Sequence, residues 1–195
     1  MKPLYISFDI ETDGPCPGIH SMLSLGLAWR ESMDSEVTTV QWNLTPTTIT
    51  RHQPTMNWWA ERPEAWEAAR VHARHPEQVM GEFDAFVTAL VKCTGRPAVF
   101  VAYPAGFDFS FLYYYVRRYL GDPAWFTFSC VDIKTLAWAA MGGGGYRSAT
   151  KRNMPKRWFD GAPEHTHKAS EDAHEQLIVF ENILTDLEQP CSGSE

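Results

Sequence analysis

Asp9 and Glu11 in Phe8-Asp9-Ile10-Glu11-Thr12, Asp108 in Gly106-Phe107-Asp108-Phe109, and His167 with Asp172 in His167-Lys168-Ala169-Ser170-Glu171-Asp172 supply four carboxylates and one imidazole. Gathered in one place, four acids repel one another strongly unless a cation sits among them. Mg²⁺ and Mn²⁺ prefer such carboxylate oxygens. Two of these ions, about 3.5–4 Å apart, form a common device for cutting phosphodiesters. A histidine beside them, titrating near neutrality, suits a general base.

The acids matter together only if the fold joins them, so the elements that carry them come next. Leu4 to Ile10 is β-branched and aromatic and reads as a buried strand, with Thr12-Asp13-Gly14-Pro15 turning the chain after it. Residues two apart on a strand share a face, so Asp9 and Glu11 point the same way. The plain alternative is a strand end that meets water. Asp108 follows an apolar run over 98–103, a break at Pro104-Ala105-Gly106, and the start of a helix over 107–120. Its plain alternative is an acid complementing the helix dipole. Asp172 lies inside a last helix over 169–187, striped by Leu177, Phe180, Ile183, Leu184 and Leu187. Five helical steps turn about 500°, so His167 can cooperate with Asp172 only from the preceding loop. Otherwise it is an exposed loop histidine.

In this order the motifs resemble the DEDDh branch of the DnaQ-like 3′–5′ exonucleases, over about residues 3–187. The resemblance implies an α/β, RNase H-like fold: a mixed five-stranded sheet, antiparallel in its first three strands and parallel in the remainder, flanked by helices. It implies that Asp9, Glu11, Asp108 and Asp172 hold two Mg²⁺ or Mn²⁺ ions and that His167 activates the attacking water. His165 does not fit the motif, because the position two residues on is His167 rather than Ala. Many relatives carry His-Asn ahead of the Phe-Asp, where this chain has Tyr103-Pro104; the change removes no metal ligand but bears on substrate preference. The segment Thr55-Met56-Asn57-Trp58-Trp59, with Glu64-Ala65 following, resembles phage-type and RNase T-like members. The expected activity is hydrolysis of single-stranded nucleic acid from its 3′ end to nucleoside 5′-monophosphates, RNA ahead of DNA. Ile10, Thr12, Phe107, Trp58 and Arg152 are the expected substrate contacts. Homodimers are common among relatives. The rival expectation is a catalytically silent module that holds nucleic-acid ends or a protein on the same fold, although such a module has no physical need for all five residues.

Composition bounds these readings. The chain has 195 residues, with 44% hydrophobic and 13% aromatic, enough for one sizeable core over 1–189 with a frayed tail at 190–195. No apolar run is long enough for a membrane span, and the N-terminus lacks a leader pattern. Cys16, Cys93, Cys130 and Cys191 are scattered without a Cys-x-x-Cys, which fits a reducing cytoplasm. The net charge of −7 argues against non-specific binding of duplex phosphates. Positive charge instead gathers in Arg147, Lys151, Arg152, Lys156 and Arg157, within a stretch from Gly142 to Pro163 that reads as irregular and as a candidate substrate flap. Further strands are expected over 22–29, 37–44 and 126–131, and helices over 56–71, 76–92 and 133–141. Asp132 reads as a helix cap rather than a fifth ligand. Trp58 and Trp59 would point about 100° apart on a helix, so one of them can be free of the core to stack on a base.

Overall fold

The computed structural model describes residues 2–188; the expected frayed tail lies outside them. Five strands, β1 (Leu4–Thr12), β2 (Met22–Trp29), β3 (Thr38–Asn43), β4 (Ala98–Ala102) and β5 (Val131–Asp132), form one sheet in the order β3-β2-β1-β4-β5. β1–β2 and β2–β3 are antiparallel, whereas β1–β4 and β4–β5 are parallel. This is the mixed, RNase H-like sheet that the resemblance implies. Six helices flank it: α1 (Gln53–Ala60), α2 (Pro63–Ala68), α3 (Pro76–Thr94), α4 (Ala105–Tyr119), α5 (Ile133–Ala140) and α6 (Ala169–Glu188). None is long and apolar enough to cross a membrane.

The alternation of β1 decides what lies on each side. Leu4, Ile6, Phe8 and Ile10 join the large core with Val79, Phe83, Phe111 and Tyr115 of α3 and α4. The intervening positions face the other way. There Tyr5 meets Phe180 of α6, edge to face, with ring centroids 4.8 Å apart. Period-two geometry therefore sends Asp9 and Glu11 to the α6 side. Helix α6 is seated there by Val179, Phe180 and Ile183 against Val101, Ile133 and Trp158. Each such buried side chain stabilises the fold by roughly 1.5–3 kcal/mol.

Gly26 of β2, which pairs with Asp9, lets α6 come close. A Cβ at position 26 would lie 2.1 Å from the Ala169 carbonyl carbon and 2.3 Å from the Ser170 nitrogen. The start of α6 thus rests directly on the β2 backbone.

Four expectations need correction. The single helix over 56–71 is two, because Pro63 forces Arg62 out of helical conformation (φ −134°, ψ 60°) and then opens α2. The strand over 126–131 shrinks to Val131–Asp132: Phe126 enters the core, Phe128 is exposed, and Thr127 and Ser129 bond to each other locally. β1 runs two residues further than expected, through Glu11 to Thr12. The stretch from Gly142 to Pro163 contains 3-10 turns at Tyr146–Ser148, Lys151–Asn153 and Lys156–Phe159, and buried Met154 and Trp158 fasten it to α6. Asn182 of α6 donates to the Trp158 and Asp160 carbonyls at 3.0 and 3.1 Å. Asp132 caps α5 as expected, accepting from the Thr135 amide at 3.1 Å, and also accepts from the Ala105 amide of α4 at 3.0 Å.

Candidate active site

Asp9, Glu11 and Asp172 each offer a carboxylate oxygen within 4.8 Å of the others. They reach that point from the first strand and from α6, which lies across it. Asp108 projects from the first turn of α4 and lies outside this tight trio, but close enough that its charge acts on Glu11 and that of Asp9 acts on it. All four are at most 9% exposed. Burial, reinforced by Asp172, pushes the Asp9 carboxyl up to about 7. Burial also raises Glu11 well above the carboxylate range, with Asp9, Asp172 and Asp108 adding to it. Asp108 is raised by burial and by Asp9, while the Ile10 amide works in the other direction. Such a cluster is at rest only with protons or cations in it. An all-oxygen, four-acid donor set fits a hard divalent ion.

His167 stands on the loop before α6 with a left-handed backbone, φ 58°. Its ring lies edge-on to Trp58 with centroids 4.8 Å apart, and 4.4 Å from the ring of His165. Burial, then the charge of His165, holds the His167 imidazole below its ordinary value, so it is neutral at pH 7. His165 behaves oppositely. Its Nδ1 lies 3.1 Å from Asp172 Oδ1 and 3.4 Å from Glu175 Oε2, and hydrogen bonds to these acids push it up to about 9. Only one of the two histidines can therefore accept a proton at neutral pH. Lys151 forms an ion pair with buried Glu175 at 2.5 Å and adds positive charge that lowers Asp9 and Asp108.

Next to the acids is a cavity of about 200 Å³ lined by Ile10, Glu11, Thr12, Gly14, Pro15, Thr55, Trp58, Trp59 and Phe107. It is smaller than the ~300 Å³ lower bound for drug-sized ligands. Four of the five expected substrate contacts, Ile10, Thr12, Phe107 and Trp58, line it; Arg152 is exposed on the basic stretch and does not. The two tryptophans divide as helical geometry requires. Trp59 is buried and donates to the Thr12 carbonyl at 2.9 Å, while half-buried Trp58 faces the cavity.

Several site residues were not singled out from the sequence. His165 and Gln176 touch the acids and Glu175 touches His165, and Glu175 and Gln176 lie three and four positions beyond Asp172 on the same helix. That spacing places them on the face of Asp172, a signal that was there to be read. His165 had no such signal, because its place depends on how the loop returns.

Comparison with known proteins agrees with the geometry. The family described as the 3′–5′ exoribonuclease Rv2179c-like domain matches residues 6–184. The 3′–5′ DNA exonuclease Cap18 of Escherichia coli is 30% identical over 135 residues, 69% of this chain and 68% of that protein. Among solved structures, E. coli exonuclease I bound to single-stranded DNA superposes with a TM-score of 0.62 at 16% identity, covering 96% of this chain. This chain spans only 41% of that enzyme. The nuclease domain of 3′hExo, a DEDDh protein bound to rAMP, gives a TM-score of 0.63 at 10% identity over 98% of this chain and 94% of that domain.

Proposed function

From the premise that the chain belongs to the Rv2179c-like family and is a 3′–5′ exonuclease of the DEDDh type, we propose that it shortens single-stranded nucleic acid, RNA ahead of DNA, to nucleoside 5′-monophosphates. The convergence of Asp9, Glu11 and Asp172 within 4.8 Å, with Asp108 and a neutral His167 beside them, carries this reading. Asp9, Glu11, Asp108 and Asp172 would hold two Mg²⁺ or Mn²⁺ ions. Bound there, divalent ions supply Lewis-acid activation of the water and charge stabilisation on the leaving oxygen.

The chain's own residues do the rest. His167 takes the proton of the attacking water at a ring nitrogen, which its lowered basicity keeps free at neutral pH. Trp58 and Phe107 give the terminal base apolar faces, and stacking of this kind contributes about 1–3 kcal/mol without demanding a sequence. The Ile10 backbone and the Thr12 hydroxyl meet the terminal sugar. Arg152, exposed beside Lys151, meets phosphates further along the strand. RNA is placed first because the exoribonuclease family matches nearly the whole chain, and DNA second because Cap18 is described as a DNA exonuclease.

The test is a time course on 5′-labelled single strands of RNA and DNA of one sequence, with Mg²⁺, Mn²⁺ or EDTA. A metal-dependent ladder shortening from the 3′ end, faster on RNA, is expected. Faster loss of DNA reverses the sugar preference, and cleavage in EDTA overturns the metal reading.

A further inference from the structure

Gln176 is 1% exposed on α6, one turn beyond Asp172. Its Nε2 donates to Asp9 Oδ1 at 2.7 Å, and its Oε1 accepts from the Tyr103 amide at 2.8 Å. The orientation of the amide is dictated by its partners. A backbone N–H can only donate, so the oxygen must face Tyr103 and the nitrogen must face Asp9. Tyr103 directly follows β4 and precedes the turn into α4, which carries Asp108. One neutral side chain on the helix of Asp172 therefore ties the strand of Asp9 to the turn that launches Asp108.

We propose that Gln176 is a positioning residue that sets the register of Asp9, Asp108 and Asp172 and fixes the Asp9 carboxylate for metal binding. Its chemistry suits that task better than its neighbours in size. A glutamate could accept from Tyr103 but would set a second anion against Asp9. An asparagine is one methylene too short to hold both bonds. By donating to Oδ1, Gln176 fixes the rotation of the Asp9 carboxylate and leaves Oδ2 unengaged by this amide. Partners that orient a metal-binding carboxylate typically matter by 10–100-fold in metal affinity or activity.

This inference rests on the reading of Asp9 as a metal ligand, so its test separates the two. Mn²⁺ binding is measured by titration calorimetry, and kcat, KM and half-saturating Mn²⁺ by turnover, for wild type, Gln176→Met, Gln176→Glu and Glu11→Gln. Gln176→Met keeps the shape and loses both hydrogen bonds; Gln176→Glu keeps the Tyr103 bond and so guards against a simple folding failure. Both are expected to weaken Mn²⁺ by about 10–100-fold and to lower kcat, with oligonucleotide KM changed less than about threefold. Gln176→Glu variants that fold and bind Mn²⁺ as wild type does would overturn the positioning role. If Glu11→Gln also leaves Mn²⁺ binding unchanged, the metal reading itself has failed.

Discussion

The ring of Trp58 meets that of His167 edge-on, at 4.8 Å and an interplanar angle of 82°. Trp58 also carries the Arg62 guanidinium 4.2 Å from its ring centre. α1 thus packs against the proposed general base from outside the acid cluster. Trp58→Ala should expose His167 and move its basicity back up toward the ordinary value, since burial is the main cause of its depression. The acidic limb of the kcat–pH profile should shift upward, and Trp58→Phe should restore it. If Trp58→Ala raised KM alone and left the limb in place, Trp58 would serve substrate stacking only.

His167→Ala should lower kcat by about 10²–10⁴ and remove that limb altogether, with Mn²⁺ binding little changed. A variant that kept the wild-type pH profile would remove His167 from the base role, and the same experiment on His165→Ala would show whether its neighbour takes over.

Glu11→Gln should reduce turnover by on the order of 10³-fold, because a metal ligand supplies several kcal/mol of transition-state stabilisation. Without metal the same variant should be no less stable than wild type, for it puts a neutral amide where burial and the neighbouring acids already oppose a charge. Wild-type turnover in Glu11→Gln would rule out Glu11 as a ligand.

Stability in EDTA should fall as pH rises. The folded protein holds a proton on Asp9 up to about 7, where the unfolded chain lets it go near 3.8. His165 keeps its proton up to about 9, against 6.5 when unfolded. In both windows the native state binds more protons than the unfolded one, so each contribution is full at the lower end and lost toward the upper. Mn²⁺ competes with those protons, and its stabilising effect should grow with pH. Thermal unfolding between about pH 5 and pH 9, with and without Mn²⁺, checks both halves. A melting temperature in EDTA that rises over this range would contradict the buried, protonated cluster.

Gly26→Ala should cost about 1–3 kcal/mol or more, since the added methyl meets backbone that cannot swing aside. Activity should fall further than stability, because Asp172 moves with α6. A Gly26→Ala protein with normal melting and turnover would mean that α6 can shift without disturbing the site.

The site was legible in the sequence where it is local. Asp9 and Glu11 follow from strand alternation, and the loop position of His167 follows from helical pitch, which its φ of 58° bears out. The strand order and the mixed pairing came with the family resemblance. What stayed hidden depends on contacts between distant segments. Gln176 bonds to residues 167 and 73 positions away, and His165 is positioned by a loop whose path is not periodic. Phe126 to Ser129 has strand-like residue types, but the Thr127–Ser129 bonds favour a local turn that no periodicity reveals. The break at Pro63 is local, because a proline bars helical conformation at the residue before it.

The acids are contributed by opposite ends of the described chain: Asp9 and Glu11 by the first strand, Asp172 and the adjoining His167 by the region of the last helix. A polypeptide emerging from the ribosome therefore displays Asp9 and Glu11 first and Asp108 next, and withholds Asp172, with His167, until the region of α6 is made. Any fragment that stops short of residue 167 has neither His167 nor Asp172.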